Sequence, residues 1–97
     1  MDLAVRDNRD RKRFEAQIED HWAFIDYILT RDIIYLTHTE VPAELEGQGI
    51  GSGLIERVLE KLQQRGLKIA PLCPFVAAYI KKNLQWKELV DSRYRVG

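Results

Sequence analysis

The chain has little cysteine, proline or methionine: one, three and one in 97 residues. A lone Cys73 can form no internal disulfide, which suits a reducing compartment, and cytoplasmic residence is the expectation. Neither sign of charge is in excess, because 15 Lys and Arg offset 15 Asp and Glu. A dedicated nucleic-acid binder ordinarily shows a strong basic excess, so that class is set aside. A local basic patch for a phosphorylated small molecule is not excluded by such a balance. No apolar run approaches the roughly 20 residues that span a bilayer, so no membrane partner is expected. Met1–Arg13 is charged and lacks an apolar stretch of signal-peptide length. Neither His21 nor His38 has a second ligand at metal spacing, so no metal site is expected. With no repeat, low-complexity tract or linker, residues 1–97 read as a single domain with one modest core. Residues 1–12 read as a flexible arm, its cluster Arg9, Arg11, Lys12 and Arg13 solvated, and residues 87–97 as a tail. A monomer or weak dimer is expected.

Phe14, Ala16 and Ile18 alternate with Glu15, Gln17 and Glu19, the signature of a half-buried strand. His21 to Leu29 is rich in aromatic and β-branched residues and reads as a second strand. After the polar break Thr30-Arg31-Asp32, Ile33 to Val41 reads as a third. The links are too short for parallel crossovers, so these form an antiparallel three-stranded meander. Pro42 cannot donate to a ladder and ends the pairing. A helix follows, with Leu54, Ile55, Val58, Leu59 and Leu62 on one face and Gly66 as its C-terminal cap. Leu67 to Leu72 reads as a fourth strand, short and central. A second helix runs from Phe75 to about Asn83, with Pro74 at its first turn. Trp86, Leu89 and Val90 indicate that part of the remaining segment packs down, Trp86 closing one end of the core. The fold class is α+β: meander, glycine turn, helix, strand, helix.

Between the third strand and the helix stands Glu46-Gly47-Gln48-Gly49-Ile50-Gly51-Ser52-Gly53, four glycines in seven residues from 47 to 53. A helix N-terminus leaves unpaired N–H groups and roughly half a positive charge from the macrodipole. Glycine lets the backbone adopt positive φ and lets a phosphate come close. Such a site needs no cationic side chain, and no basic residue lies between Pro42 and Glu56. It is not a P-loop, because Gly51-Ser52 stands where Lys-Ser/Thr is required. The glycine spacing does not match a dinucleotide fingerprint either. A tight turn that only caps the helix is the plain alternative.

The segment Val41-Pro42-Ala43-Glu44-Leu45-Glu46-Gly47-Gln48-Gly49-Ile50-Gly51 resembles the diphosphate-binding motif of the GNAT acetyltransferases, Q/R-x-x-G-x-G/A. His38-Thr39-Glu40-Val41-Pro42 before it, and Pro71, Cys73, Phe75 and Val76 after it, resemble the minimal GNAT-like (YjdJ-type) branch. The likeness runs from about Phe14 to Trp86. It implies a cofactor, acetyl-CoA or CoA, with its diphosphate on the main-chain N–H groups of Gln48, Gly49, Ile50, Gly51 and Ser52. The pantetheine chain would pair along Glu40 and Val41. Glu46 departs from the motif, and a carboxylate beside a diphosphate is unfavourable.

The implied activity is transfer of acetyl from acetyl-CoA to an amine acceptor of unknown identity, a protein or peptide included. A non-catalytic CoA or acyl-CoA binding module is the alternative. Ile18 to His21 leaves no room for the helices that build the acceptor site in larger relatives, which favours a large or flat acceptor. Three residues are candidates for the chemistry. Cys73 precedes a helix, where a thiol can become nucleophilic, and would carry a transient acetyl group or contact it; a small buried hydrophobe is the plain reading. His38 would take a proton from an ammonium substrate or from Cys73, since a free imidazole has an unperturbed pKa of about 6.5. Alternation places it on one face with Leu36 and Glu40, and Thr37, Thr39 and Val41 on the other. Tyr79, in Tyr79-Ile80-Lys81, resembles the tyrosine that protonates the departing CoA sulfur; packing on the sheet is its plain reading.

Overall fold

The computed structural model describes residues 3–94. A single sheet holds five strands in the order β1 (Val5–Asn8), β2 (Arg13–Ile18), β3 (His21–Leu29), β4 (Ile33–Glu40) and β5 (Lys68–Pro71). The first three pairings are antiparallel and β4–β5 is parallel. Between β4 and β5 runs α1 (Ile50–Arg65), and after β5 comes α2 (Pro74–Lys82). Short 3-10 turns occupy Ala43–Leu45, Leu84–Leu89 and Ser92–Tyr94.

β2 and β3 close through a two-residue turn, since Ile18 pairs with His21, and Glu19 there takes a φ of 58°. The twist of such hairpins calls for a left-handed residue, here supplied without glycine. At the β3–β4 turn the Thr30 N–H and hydroxyl both donate to the Ile33 carbonyl at 2.9 Å. One sheet face buries Phe14, Ala16, Ala23, Ile25, Ile34 and Leu36, all at most 1% exposed. The apolar stripe of α1 covers it, with Leu54, Ile55, Val58, Leu59 and Leu62 fully buried. Each such side chain contributes about 1.5–3 kcal/mol on leaving water. Gly66 caps α1 at φ 70°, its N–H reaching the Gln63 and Leu62 carbonyls, as the sequence predicts. Pro74 starts α2 at a position where its missing N–H costs nothing.

Five expectations are corrected. The sheet has five strands, because the charged arm folds: β1 lies within it. A strand with one apolar residue has no periodicity to detect, and β1 is held mainly by cross-strand polar contacts. Arg6 and Arg13 both reach Glu15, at 2.6 and 2.9 Å. Arg13 belongs to β2 and is not a solvated arm residue. Glu15 itself, expected at the surface, is 2% exposed. Burial alone would raise its pKa, but hydrogen bonds from Arg13, Arg6 and Asn8 outweigh that and hold it below the ordinary value. Arg6 also lies 5.7 Å from the Trp22 ring and Arg13 4.3 Å from Phe24, so the guanidinium groups roof the carboxylate.

Third, β5 is the last strand of the sheet and not a central one. Its free side is closed by the segment after α2: Val90 bridges Ile69, and the Asp91 N–H donates to the Ile69 carbonyl at 2.9 Å. Val90 and Asp91 of the tail are therefore structural, and Trp86 is 8% exposed in the core. Residues 95–97 of that tail lie outside the described residues. Fourth, α1 begins at Ile50, one turn earlier than Leu54, so Gly51 and Gly53 are helical. Fifth, β4 does not alternate regularly. His38 pairs with Asp26 and Leu36 with Tyr27, which leaves Thr37 as an extra residue, its hydroxyl 3.3 Å from the Asp26 carbonyl. A bulge of one residue moves every later side chain to the other face. Thr39, opposite the buried Ile25, therefore shares the core face with Leu36, whereas His38 and Glu40 face away.

Candidate functional site

β5 accompanies β4 only from Ile33 to Leu36, where the last partner is Pro71. There the Cys73 N–H donates to the Leu36 carbonyl at 2.9 Å, and the chain turns into α2. The remainder of β4, Thr37 to Glu40, has no strand on that side among the described residues. This open strand edge leads into the glycine turn.

Gly47 and Gly49 take φ values of 81° and 76°. Gly49 is the residue before α1, and no side chain caps the helix. The first helical bond runs from the Gly53 N–H to the Gly49 carbonyl at 3.0 Å. Ahead of it the N–H groups of Ile50, Gly51 and Ser52 have no intrahelical acceptor, as at any helix start. They open beside a groove of 450 Å³ lined by Val41, Gly49, Ile50, Gly51 and Ser52. Thr39 and Phe75 complete one wall, Leu45, Glu46 and Gly47 the other. Among the described lining residues Glu46 alone is charged, so an anion there would meet backbone donors only.

The glycines differ in purpose. An added Cβ at Gly47 or Gly49 would meet nothing within 4 Å, so these positions need glycine for their backbone angle. A Cβ at Gly51 would stand 2.6 Å from Phe75 Cζ. Gly51 is small because the Phe75 ring lies against it, and this contact seats α2 beside α1.

Of the residues expected to hold a cofactor, Val41, Gly49, Ile50, Gly51 and Ser52 line the groove. Gln48 and Glu40 do not: Gln48 is exposed between the two left-handed glycines, and Glu40 points to the outer face. Thr39 and Phe75 stand in the segments that carry the resemblance, but nothing in the sequence assigned them a part in holding the cofactor. The bulge that turns Thr39 inward has no signal in the sequence, and nothing local places Phe75 against Gly51.

Cys73 is 4% exposed, and its Sγ lies 3.3 Å from Thr39 Oγ1. His38 is on the other face of β4, 56% exposed, with Nε2 2.9 Å from Glu40 Oε1 and its ring 6.3 Å from that of Phe24. The bulge thus separates His38 from Cys73, and the structure does not bring these two together. Tyr79 donates its hydroxyl to Glu56 Oε2 of α1 at 3.3 Å. Burial and the Glu56 carboxylate raise its pKa, and it does not line the groove.

The arrangement is a helix start with free N–H groups joined to a split sheet, over a groove with no cationic side chain among the described residues. A family model described as GCN5-related N-acetyl-transferase matches residues 13–89. No curated protein matches the chain. The family match spans β2 through α2 and therefore includes the whole split-sheet and glycine-turn unit; the chain belongs to the GCN5-related N-acetyltransferase family.

Proposed function

We propose that the chain transfers the acetyl group of acetyl-CoA to an amine carried on a large or flat acceptor such as a protein or peptide. The observation that carries this reading is the set of N–H groups at Ile50, Gly51 and Ser52, open to a groove that continues along the unpaired end of β4. The residues fit the cofactor: the donors suit a diphosphate without a metal or a lysine. The free strand edge at Thr39 to Val41 suits an amide-containing chain that pairs as a strand would. When bound, acetyl-CoA supplies an acetyl thioester as the electrophile.

The residues of the chain have distinct tasks. The amides at the start of α1 hold negative charge by the helix dipole and their own unpaired hydrogens. Glu46 lies in the same wall and lowers affinity for an anion by its charge. Thr39 faces the groove and fixes the Cys73 thiol beneath the strand end; Cys73, buried and without a base at hydrogen-bond distance, packs there and carries no acetyl group. His38 stands on the outer face of the same strand end, held by Glu40. It can take a proton from an approaching ammonium without crossing the cofactor groove. As the C–N bond forms, the C–S bond breaks; the first ammonium proton goes to His38, the second to solvent, and solvent supplies a proton to the departing CoA thiolate. The two-residue turn at Glu19 and Asp20 puts no element over this face, which favours a polypeptide acceptor.

One observation favours a second reading, a non-catalytic CoA-binding module: among the described residues Glu46 is the only titratable side chain lining the groove. Two measurements test the readings, and the second separates them. Acetyl-CoA and CoA, but not ATP or NAD, should raise the melting temperature under both. Release of free CoA with a panel of amines, amino acids and lysine peptides should occur only under the first. Binding without release for any acceptor would support the module, and no thermal shift with CoA would remove both.

A further inference from the structure

At the other end of α1 lies a second concavity, of 400 Å³. The 16 residues of α1 separate it from the glycine turn by about 24 Å at 1.5 Å per residue. Ile28 and Leu29 at the end of β3, with Leu67 after α1, form its apolar part; Ile28 and Leu29 are 56% and 52% exposed. Arg9, Lys12, Arg31 and Arg65 line it against the one carboxylate of Asp7. The chain as a whole carries no net charge, so this excess of cations is a local field.

Asp7 offsets only part of it, because its single charge faces four cations. Oδ1 accepts the Tyr27 hydroxyl at 2.5 Å; Oδ2 meets Arg65 at 3.0 Å and Arg9 at 3.4 Å. Tyr27 is 7% exposed. Arg65 is pinned from below by this network, and its guanidinium lies 5.6 Å from the Phe14 ring. Lys12, left-handed at φ 56°, and Arg31, in the β3–β4 turn, have no carboxylate partner among the described residues. A fixed guanidinium with two unpaired cations beside exposed apolar side chains matches an anion that has an apolar body. The volume is that of a small-molecule site.

We propose that this concavity binds a small organic dianion, a phosphate or a dicarboxylate attached to an apolar group, separately from the cofactor groove. The test is an amide NMR titration of the full chain with phenyl phosphate and with phthalate, against inorganic phosphate and benzyl alcohol. Saturable shifts are expected at Leu29, Thr30, Arg31 and Leu67, with none at Gly47 to Ser52. The tighter of the two dianions identifies the head group. Inorganic phosphate and benzyl alcohol should each bind about tenfold more weakly, as lacking one half of the recognition. The double variant Lys12→Glu, Arg31→Glu removes no internal ion pair and should weaken binding by about tenfold or more. Lys12→Gln and Arg31→Gln singly serve if the double variant does not fold. Non-saturable shifts, shifts centred on the glycine turn, equal affinity for inorganic phosphate, or unchanged affinity in the folded variants would each overturn the proposal.

Discussion

Replacing Gly49 with alanine separates what the glycine turn does for the fold from what it does for a ligand. The residue sits at φ 76° and ψ 14°, where a side chain costs roughly 1–2 kcal/mol. No atom lies within 4 Å of the added carbon, so no packing cost joins that strain. The variant should remain folded, with a melting temperature lower by about 4–8 °C per kcal/mol for a domain of this size. Gly49 also lines the groove beside the free amides of Ile50 to Ser52, so the methyl group takes up space that the diphosphate needs. At a concentration of 100 times the dissociation constant, acetyl-CoA should stabilise the unaltered chain by about 2.7 kcal/mol. A tenfold loss of affinity would cut this to about 1.4 kcal/mol. Gly49→Asn is the control, since asparagine tolerates the left-handed region: it should recover much of the stability and none of the binding. The assay is thermal denaturation with and without acetyl-CoA at one fixed concentration. A Gly49→Ala chain that melts lower but keeps the whole ligand-induced shift would refute the assignment of those amides to the cofactor.

Three further outcomes are expected. Glu15→Gln should cost about 1.5–3 kcal/mol at pH 7, the range for hydrogen bonds to a charged group, and nearer its lower end because Arg6 is 67% exposed and rehydrates. The pKa of Glu15 is lowered on folding from 4.5, so its contribution is present above that value and lost as pH falls through the folded pKa. The gap between the two chains in urea midpoints should thus be constant from neutral pH down to about 5.5 and shrink below about 4.5; a gap that widens in acid contradicts the network. Cys73→Ala should retain turnover, and intact mass after mixing with acetyl-CoA should show no acetyl group lost in that variant; a labile adduct on Cys73 alone would restore the relay. His38→Gln should lower kcat about 100-fold, in the range for loss of a general base, whereas Tyr79→Phe, which removes a hydroxyl given to Glu56, should leave kcat unchanged.

The parts of the molecule that declare themselves in the chain are those governed by neighbours in sequence. The stripe Leu54, Ile55, Val58, Leu59, Leu62 can be buried only as one helix face, and Gly66 and Pro74 mark helix ends by their own backbone chemistry. The glycine turn is local too, and its resemblance to a known motif locates most of the groove. Thr39 and Phe75 enter it only through contacts between distant segments: Thr39 because of pairing with β3, Phe75 because α2 is laid against Gly51.

Local chemistry therefore determined the helices, their caps, the left-handed turn and the uncapped glycine-rich helix start, since each depends on backbone angles or a repeat within a few residues. Tertiary structure decided the rest. The β1 strand is held by partners that Glu15 and Tyr27 offer its polar side chains, and β5 can stand last in the sheet because Val90 returns to bridge its free side. Above all, one extra residue at Thr37 sends His38 and Cys73 to opposite faces. A bulge is a mismatch between two strands, and neither strand alone contains it.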